Sequence, residues 1–263
     1  MAETRLRRKA GARLHWRPCV QWARARWSAS STGRESVSAD EVMYGAIMED
    51  LGYSTNRRPF RQLVGSVPFS RLALLRDEPD STRLATIGAL LFGAARLAPP
   101  ASFPGASSIG APKRVRYLWK TSGVRPPDHP TRRLAGAAMV FERFLGTGPA
   151  AGLAAEFERG RGRRITEVLT VRPYIGTGRA REAAVNSVLP SLPALAAVRR
   201  DRSMAEKCLS EFRAYPGLGD NALTREMQRL LALRDRGIDV RGARRQQGLV
   251  HLYKSLVAPG RTG

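Results

Sequence analysis

The stretch ARRQQGLVHLYKSL from Ala243 carries the densest set of chemistry-bearing side chains in the sequence. On a helix, Gln247 and His251 lie four residues apart and share a face, and Arg244 lies one turn earlier on nearly the same face. Guanidiniums and amides presented this way can hold a phosphate or read a base edge, and an imidazole can serve as a general base. No nucleophile is spaced to use that base. The alternative is structural: Arg244, Arg245, Gln246, Gln247 and His251 join a buried network that ties the helix to Tyr44, Asn56 or Asn186.

A second constellation is Arg125-Pro126-Pro127-Asp128-His129-Pro130 with Arg132 and Arg133. The prolines stiffen a loop that ends at a helix start near Thr131. A helix N-terminus offers free N–H groups and partial positive charge to a phosphate or carboxylate, and Arg125 and Arg133 can add bidentate contacts. Alternatively Asp128 caps the helix and the arginines pair with Glu142 or Glu182. The run RGRGRR, Arg159 to Arg164, reads as a basic turn that presents Arg163 and Arg164. Asn186 sits among Val185, Val188 and Leu189, where a buried amide must find partners. Trp16, Trp22 and Trp27 are interleaved with Arg13, Arg17, Arg24 and Arg26. That mixture can stack unpaired bases and hold phosphates, or it can be the edge of a core built elsewhere.

The search for catalytic machinery is otherwise negative. There is no Gly-x-Ser-x-Gly elbow and no Walker loop, and the Gly176-Thr177-Gly178 run lacks the third glycine of a dinucleotide fingerprint. His15, His129 and His251 are scattered, and Cys19 and Cys208 are isolated. No metal ligand set, disulfide framework or cofactor is expected, and a reducing cytoplasm suits the two lone thiols. Glu41, Glu49 and Asp50 read as solvated carboxylates on one helix.

The elements that must position these residues are mostly helical. Ser38 and Glu41 have capping-box spacing, Met43, Ile47 and Leu51 form an apolar stripe, and Gly52 marks a stop. Asn56 and Pro59 open the next helix. Leu84, Ile87 and Leu91 mark another, followed by a Pro/Gly/Ser loop from Ala98 to Pro112 that reads as exposed. Leu134, Ala138, Phe141 and Leu145 line a helix from Thr131, and Leu153 and Phe157 suggest one more. Further helices are expected from Thr177 to Pro190, near Ser203 to Phe212, after Asp220 or Asn221, and around Leu249 to Leu256. Ile165 to Val171 is the best strand candidate. The fold class is mainly α: an irregular helical domain over 38–258, preceded by a poorly ordered basic arm over 1–37 and followed by a tail over 259–263.

The 45 cationic residues exceed the 22 acidic ones, for a formal charge of +23. Such an excess favours nucleic acid or another polyanion as partner. Five of the 45 are lysines (Lys9, Lys113, Lys120, Lys207 and Lys254), which leaves 40 arginines. A GC-rich genome produces the same skew through codon bias, so the charge has two origins open to it. The N-terminus lacks the apolar core of a secretory signal, and the uncharged stretch from Ala183 to Val198 is shorter than the ~20 residues of a membrane span.

Four segments together resemble a known family. They are MYGAIMEDLGYSTNRRPFRQLVGSVP from Met43, VRPPDHPTRRLAGAAMVF from Val124, GTGRAREAAVNSVLP from Gly176, and ARRQQGLVHLYKSL. Their order and wording resemble the bacterial domain-of-unknown-function 2851 family, over roughly Glu41 to Leu256. The most specific elements are Gln246-Gln247-Gly248-Leu249 with His251-Leu252-Tyr253, and Leu51-Gly52-Tyr53 with Asn56-Arg57. Asp128 stands where the family pattern carries an Asn. The resemblance implies an upstream strand-rich half with an acidic motif of the Gly-Asp-Val-Glu-Ile-His kind, similar to a restriction-endonuclease-like core. Met1 to Val37 does not match that half. The family also tends to place cysteines beyond the last helix, and VAPGRTG has none.

These readings predict a non-catalytic helical module of a nuclease-like family. It binds nucleic acid or another polyanion through Arg125, Arg133, Arg163, Arg164, Arg244 and Arg245. A family-motif polar network comprises Asn56, Arg57, Asp128, Asn186, Gln246, Gln247, His251 and Tyr253. The alternative is a structural fragment that packs against a separately encoded protein supplying the upstream half.

Overall fold

The computed structural model describes residues 38–108, 118–219, 222–233, 235 and 237–256. The expected arm over 1–37, the tail over 259–263 and the Asp220/Asn221 cap lie outside the described residues. The chain is mainly helical, and among the described residues the only β pairing is an isolated antiparallel bridge between Val171 and Ile175. The described residues fall into two compact units, one running through Val188 and the other beginning at Leu189.

The first unit is built around α1 (Ala39–Leu51), whose residues Val42 to Leu51 are all buried. Ser38 Oγ accepts from the Glu41 backbone N–H at 3.2 Å, as the capping spacing predicts. The reciprocal half of the box is absent because the Glu41 carboxylate is used elsewhere. It accepts from Phe69 and Ser70 N–H at 2.8 and 2.7 Å, at the start of α3 (Phe69–Ala73). Asp40 does the same for α6 (Pro149–Leu169), accepting from Ala150 N–H at 2.9 Å. The first turn of α1 therefore caps two other helices. We expect Asp40→Ala to cost about 0.5–2 kcal/mol, the range of a lost cap, read from urea unfolding.

Between α1 and α2 (Tyr53–Ser66) the left-handed conformation falls on Tyr53 (φ 53°), and Gly52 keeps φ −67°. The glycine is required by contact, since a Cβ there would lie 2.6 Å from the Asn56 carbonyl oxygen. Pro59 does not open α2; it lies inside it. Phe60 and Leu63 are buried, as their spacing predicts. The second apolar layer comes from α4 (Asp80–Ala95) and α5 (Pro130–Glu142), with Phe141 packed edge-on to Tyr44 at 4.7 Å. Burial pushes the Tyr44 phenol well above its usual range, and its hydroxyl donates to the Val67 carbonyl at 3.0 Å.

Two local expectations are corrected, and one is met in part. Ile165 to Leu169 belongs to α6, because Ile165, Val168 and Leu169 are buried at helical spacing. The RGRGRR run, expected as a basic turn, is where α6 breaks: Gly160 and Arg161 depart from helical dihedrals and join two helical stretches at a kink. The loop after α4 is not simply exposed: Phe103 is buried against Phe92, with ring centroids 5.5 Å apart. The helix expected from Thr177 to Pro190 forms as α7 (Thr177–Ala183) and a π-helical turn, Ala184–Val188.

The second unit contains α8 (Leu189–Val198), α9 (Arg202–Ala214), α10 (Ala222–Leu230) and α11 (Ala243–Leu256). Asp201 caps α9, accepting from Met204 N–H at 2.9 Å. Among the described residues, no helix is long and apolar enough to cross a membrane.

Candidate anion-binding site

Helix α9 buries Cys208 and Phe212, and Arg213 on the adjacent position is exposed. The chain then turns at buried Tyr215, and after α10 it comes back so that the start of α11 meets this turn. Two devices fix this junction. The Tyr215 carbonyl accepts from Ala243 N–H at 3.1 Å. The Gln246 amide clamps Leu218 from both sides, its Oε1 accepting from Leu218 N–H at 2.7 Å and its Nε2 donating to the Leu218 carbonyl at 3.0 Å. Gly242 starts the helix in the left-handed region at φ 98°, where a side chain would be strained.

This junction forms an open pocket of about 390 Å³ lined by Arg213, Arg241, Gly242, Arg244 and Arg245. Asp239 is one acidic residue paired with this group. Its carboxylate meets Arg241 Nε at 3.0 Å, and its carbonyl accepts from Arg245. Four permanent cations thus share one concavity at the amino end of a 14-residue helix, whose first-turn N–H groups add partial positive charge. The chemistry offered is retention of an anion by charge-assisted N–H donors.

No family model matches the chain, and neither does any curated protein or solved structure.

The residues expected from sequence are distributed unevenly. Arg244 and Arg245 line the pocket. Arg125 is exposed on the loop before α5. Arg133 is buried at 5% exposure and bonded to Asp128 at 2.7 Å, so its guanidinium does not face solvent. Burial holds it below its ordinary pKa, with Arg179 repelling it and Asp128 opposing the shift. Arg163 and Arg164 are paired with Glu167, and Arg164 also with Glu156. Their charge is locally compensated.

The polar network is likewise redistributed. Asn56 clamps Lys120, donating to its carbonyl at 3.0 Å and accepting from its N–H at 2.8 Å. Arg57 is exposed. Gln246 is the anchor of the pocket, and Gln247, His251 and Tyr253 are half-buried along α11. Gln247 and His251 are both engaged with neighbours. Arg213, Arg241 and Gly242 were missed by sequence reasoning. The Arg241-Gly242 pair just before a helix start was a usable signal; Arg213 had none.

A second charged group lies within the first unit. Glu49 and Asp50, read as solvated, are buried at 3% and 5% exposure. The reason is that α1 is covered on all sides, so its polar positions face neighbouring helices. Glu49 pairs with Arg61 at 2.9 and 3.2 Å. Asp50 accepts from the Asn186 amide at 3.2 Å and faces Arg179 at 3.6 Å. Arg179 also bonds Glu182 at 2.5 Å and lies over the Tyr53 ring at 5.0 Å. Arg133 and Arg179 are therefore set against Asp50, Asp128 and Glu182, which compensates their charge and makes the group a structural ionic network. Among the described residues no group of three or more His, Cys, Asp or Glu is placed to hold a metal ion.

Asp128 does not cap α5; His129 does. Its Nδ1 faces Thr131 N–H at 3.4 Å and Thr131 Oγ1 at 2.7 Å. Desolvation lowers the His129 pKa below its ordinary 6.5. A depressed imidazole pKa favours the neutral form in the folded chain, so its stabilising contribution is full above pH 6.5 and declines as pH falls toward the folded value. Protonation also removes the lone pair that caps the helix. Melting temperature should therefore decrease below pH 6.5, and His129→Asn should flatten that part of the profile. An unchanged slope in the variant would assign the decline to other groups.

Proposed function

We propose that this chain is a non-catalytic helical module that binds nucleic acid through the arginine pocket at the start of α11. The observation carrying this reading is the convergence of Arg213, Arg241, Arg244 and Arg245 on one open concavity, with Asp239 paired to Arg241. Arginine forks match phosphate oxygens geometrically and remain charged at every physiological pH. The overall charge of +23 adds long-range attraction for the same class of partner. The resemblance of four segments to the 2851 family belongs to this proposal. In that setting the module would work beside a strand-rich nuclease-like half, in the cytoplasm.

The test is fluorescence anisotropy with a labelled single-stranded oligonucleotide at low salt. Replacing the four pocket arginines by glutamine should weaken binding by about 10-fold or more, as counterion release is lost. Replacing Arg163 and Arg164, whose charge is already compensated, should change it by less than about 2-fold. No binding by the unaltered chain, or equal loss in both variants, would remove the pocket from the reading.

A further inference from the structure

Resting on that reading, we infer that the pocket takes the terminal phosphate of a nucleic-acid strand. The shape of the charge distribution supports this choice. A strand held along its backbone is met by a groove or stripe of cations that follows successive phosphates. Here Arg213 comes from the end of α9, Arg241 from the preceding loop, and Arg244 and Arg245 from the first turn of α11, and all four border one pocket. The charge is gathered at a point. Asp239 pairs with Arg241 and Arg244 is engaged with a neighbour, yet four guanidiniums still border one point, an arrangement suited to a group bearing more than one negative charge. A phosphomonoester carries roughly −1.5 to −2 near neutral pH, and an internal diester carries a single charge.

The backbone supports the same choice. Gly242 has no side chain and stands at φ 98°, so a compact ligand can approach the helix start closely. Gln246 is committed to Leu218 by both amide atoms and acts as a positioning residue that holds the rim. A volume of about 390 Å³ is enough for a phosphate with its terminal nucleoside.

The experiment compares one short oligonucleotide in three forms: 5′-phosphorylated, 3′-phosphorylated and with both ends as hydroxyls. A hydroxyl-ended strand two nucleotides longer controls for added charge. A free nucleoside monophosphate, as competitor, distinguishes a strand end from a mononucleotide as the source of the phosphate. At least one phosphorylated form should bind about 10-fold tighter than the longer hydroxyl-ended control, a difference expected of a charge-assisted bidentate site. That preference should vanish when the four arginines are replaced by glutamine, with circular dichroism confirming an unchanged helix content. The mononucleotide should compete only at much higher concentration than the phosphorylated strand. Equal affinity for all forms, a preference that survives the glutamine variant, or a mononucleotide as effective as the strand would each overturn this inference. The first of these would leave general polyanion binding intact; loss of all binding would remove both.

Discussion

Replacing Arg179 by leucine should lower the unfolding free energy by about 3–5 kcal/mol, the cost of breaking a buried ion pair from one side. Arg179 is 8% exposed, and the substitution leaves Asp50 and Glu182 without their common cation. Asp50 would retain only the Asn186 amide while remaining 5% exposed. For a protein of this size the loss corresponds to roughly 6–20 °C in melting temperature. The double replacement of Asp50 and Arg179 by leucine should recover most of it, because exchanging a buried pair for apolar groups is often near neutral. Thermal melts followed by circular dichroism check both. A shift of under about 2 °C in the single variant would mean that the network carries little stability.

The second large effect is on binding and salt. Four arginines displacing counterions from single-stranded nucleic acid give a slope near −3 in the logarithm of affinity against the logarithm of salt concentration. Affinity should then fall about 50-fold between 50 and 200 mM salt. In the glutamine variant the slope should approach zero, apart from what the remaining surface charge contributes. Titrations at several salt concentrations measure it. A steep slope that persists without the four arginines would place the binding surface elsewhere on the chain.

Both effects depend on which carboxylates reach which arginines. The residue types and spacing made the helices legible: Ser38 as a cap, the apolar stripe through Met43, Ile47 and Leu51, and a last helix through Leu249 to Leu256 that also carries Arg244 and Arg245. The same local signals failed where a helix is buried on every side. In α1 the carboxylates of Glu49 and Asp50 look like a solvated face, because periodicity reports one covered side and cannot register a second. They failed again at Arg213, which approaches Arg244 only through the return of the chain after Tyr215. Gln246 was legible as an important polar residue of α11, but its partner, the Leu218 backbone, was not.

The sequence by itself determined the mainly helical class, the positions of most helix starts and the strong basic excess, since caps, prolines and apolar spacing act over a few residues. The tertiary structure decided which cations are neutralised. Arg133, Arg163, Arg164 and Arg179 meet carboxylates away from the arginine pocket, whereas Arg213, Arg241, Arg244 and Arg245 gather around it, with Arg241 paired to Asp239. The physical reason is distance along the chain: contacts such as Asp50 with Asn186, separated by 136 residues, arise only when helices pack, and no local propensity encodes them.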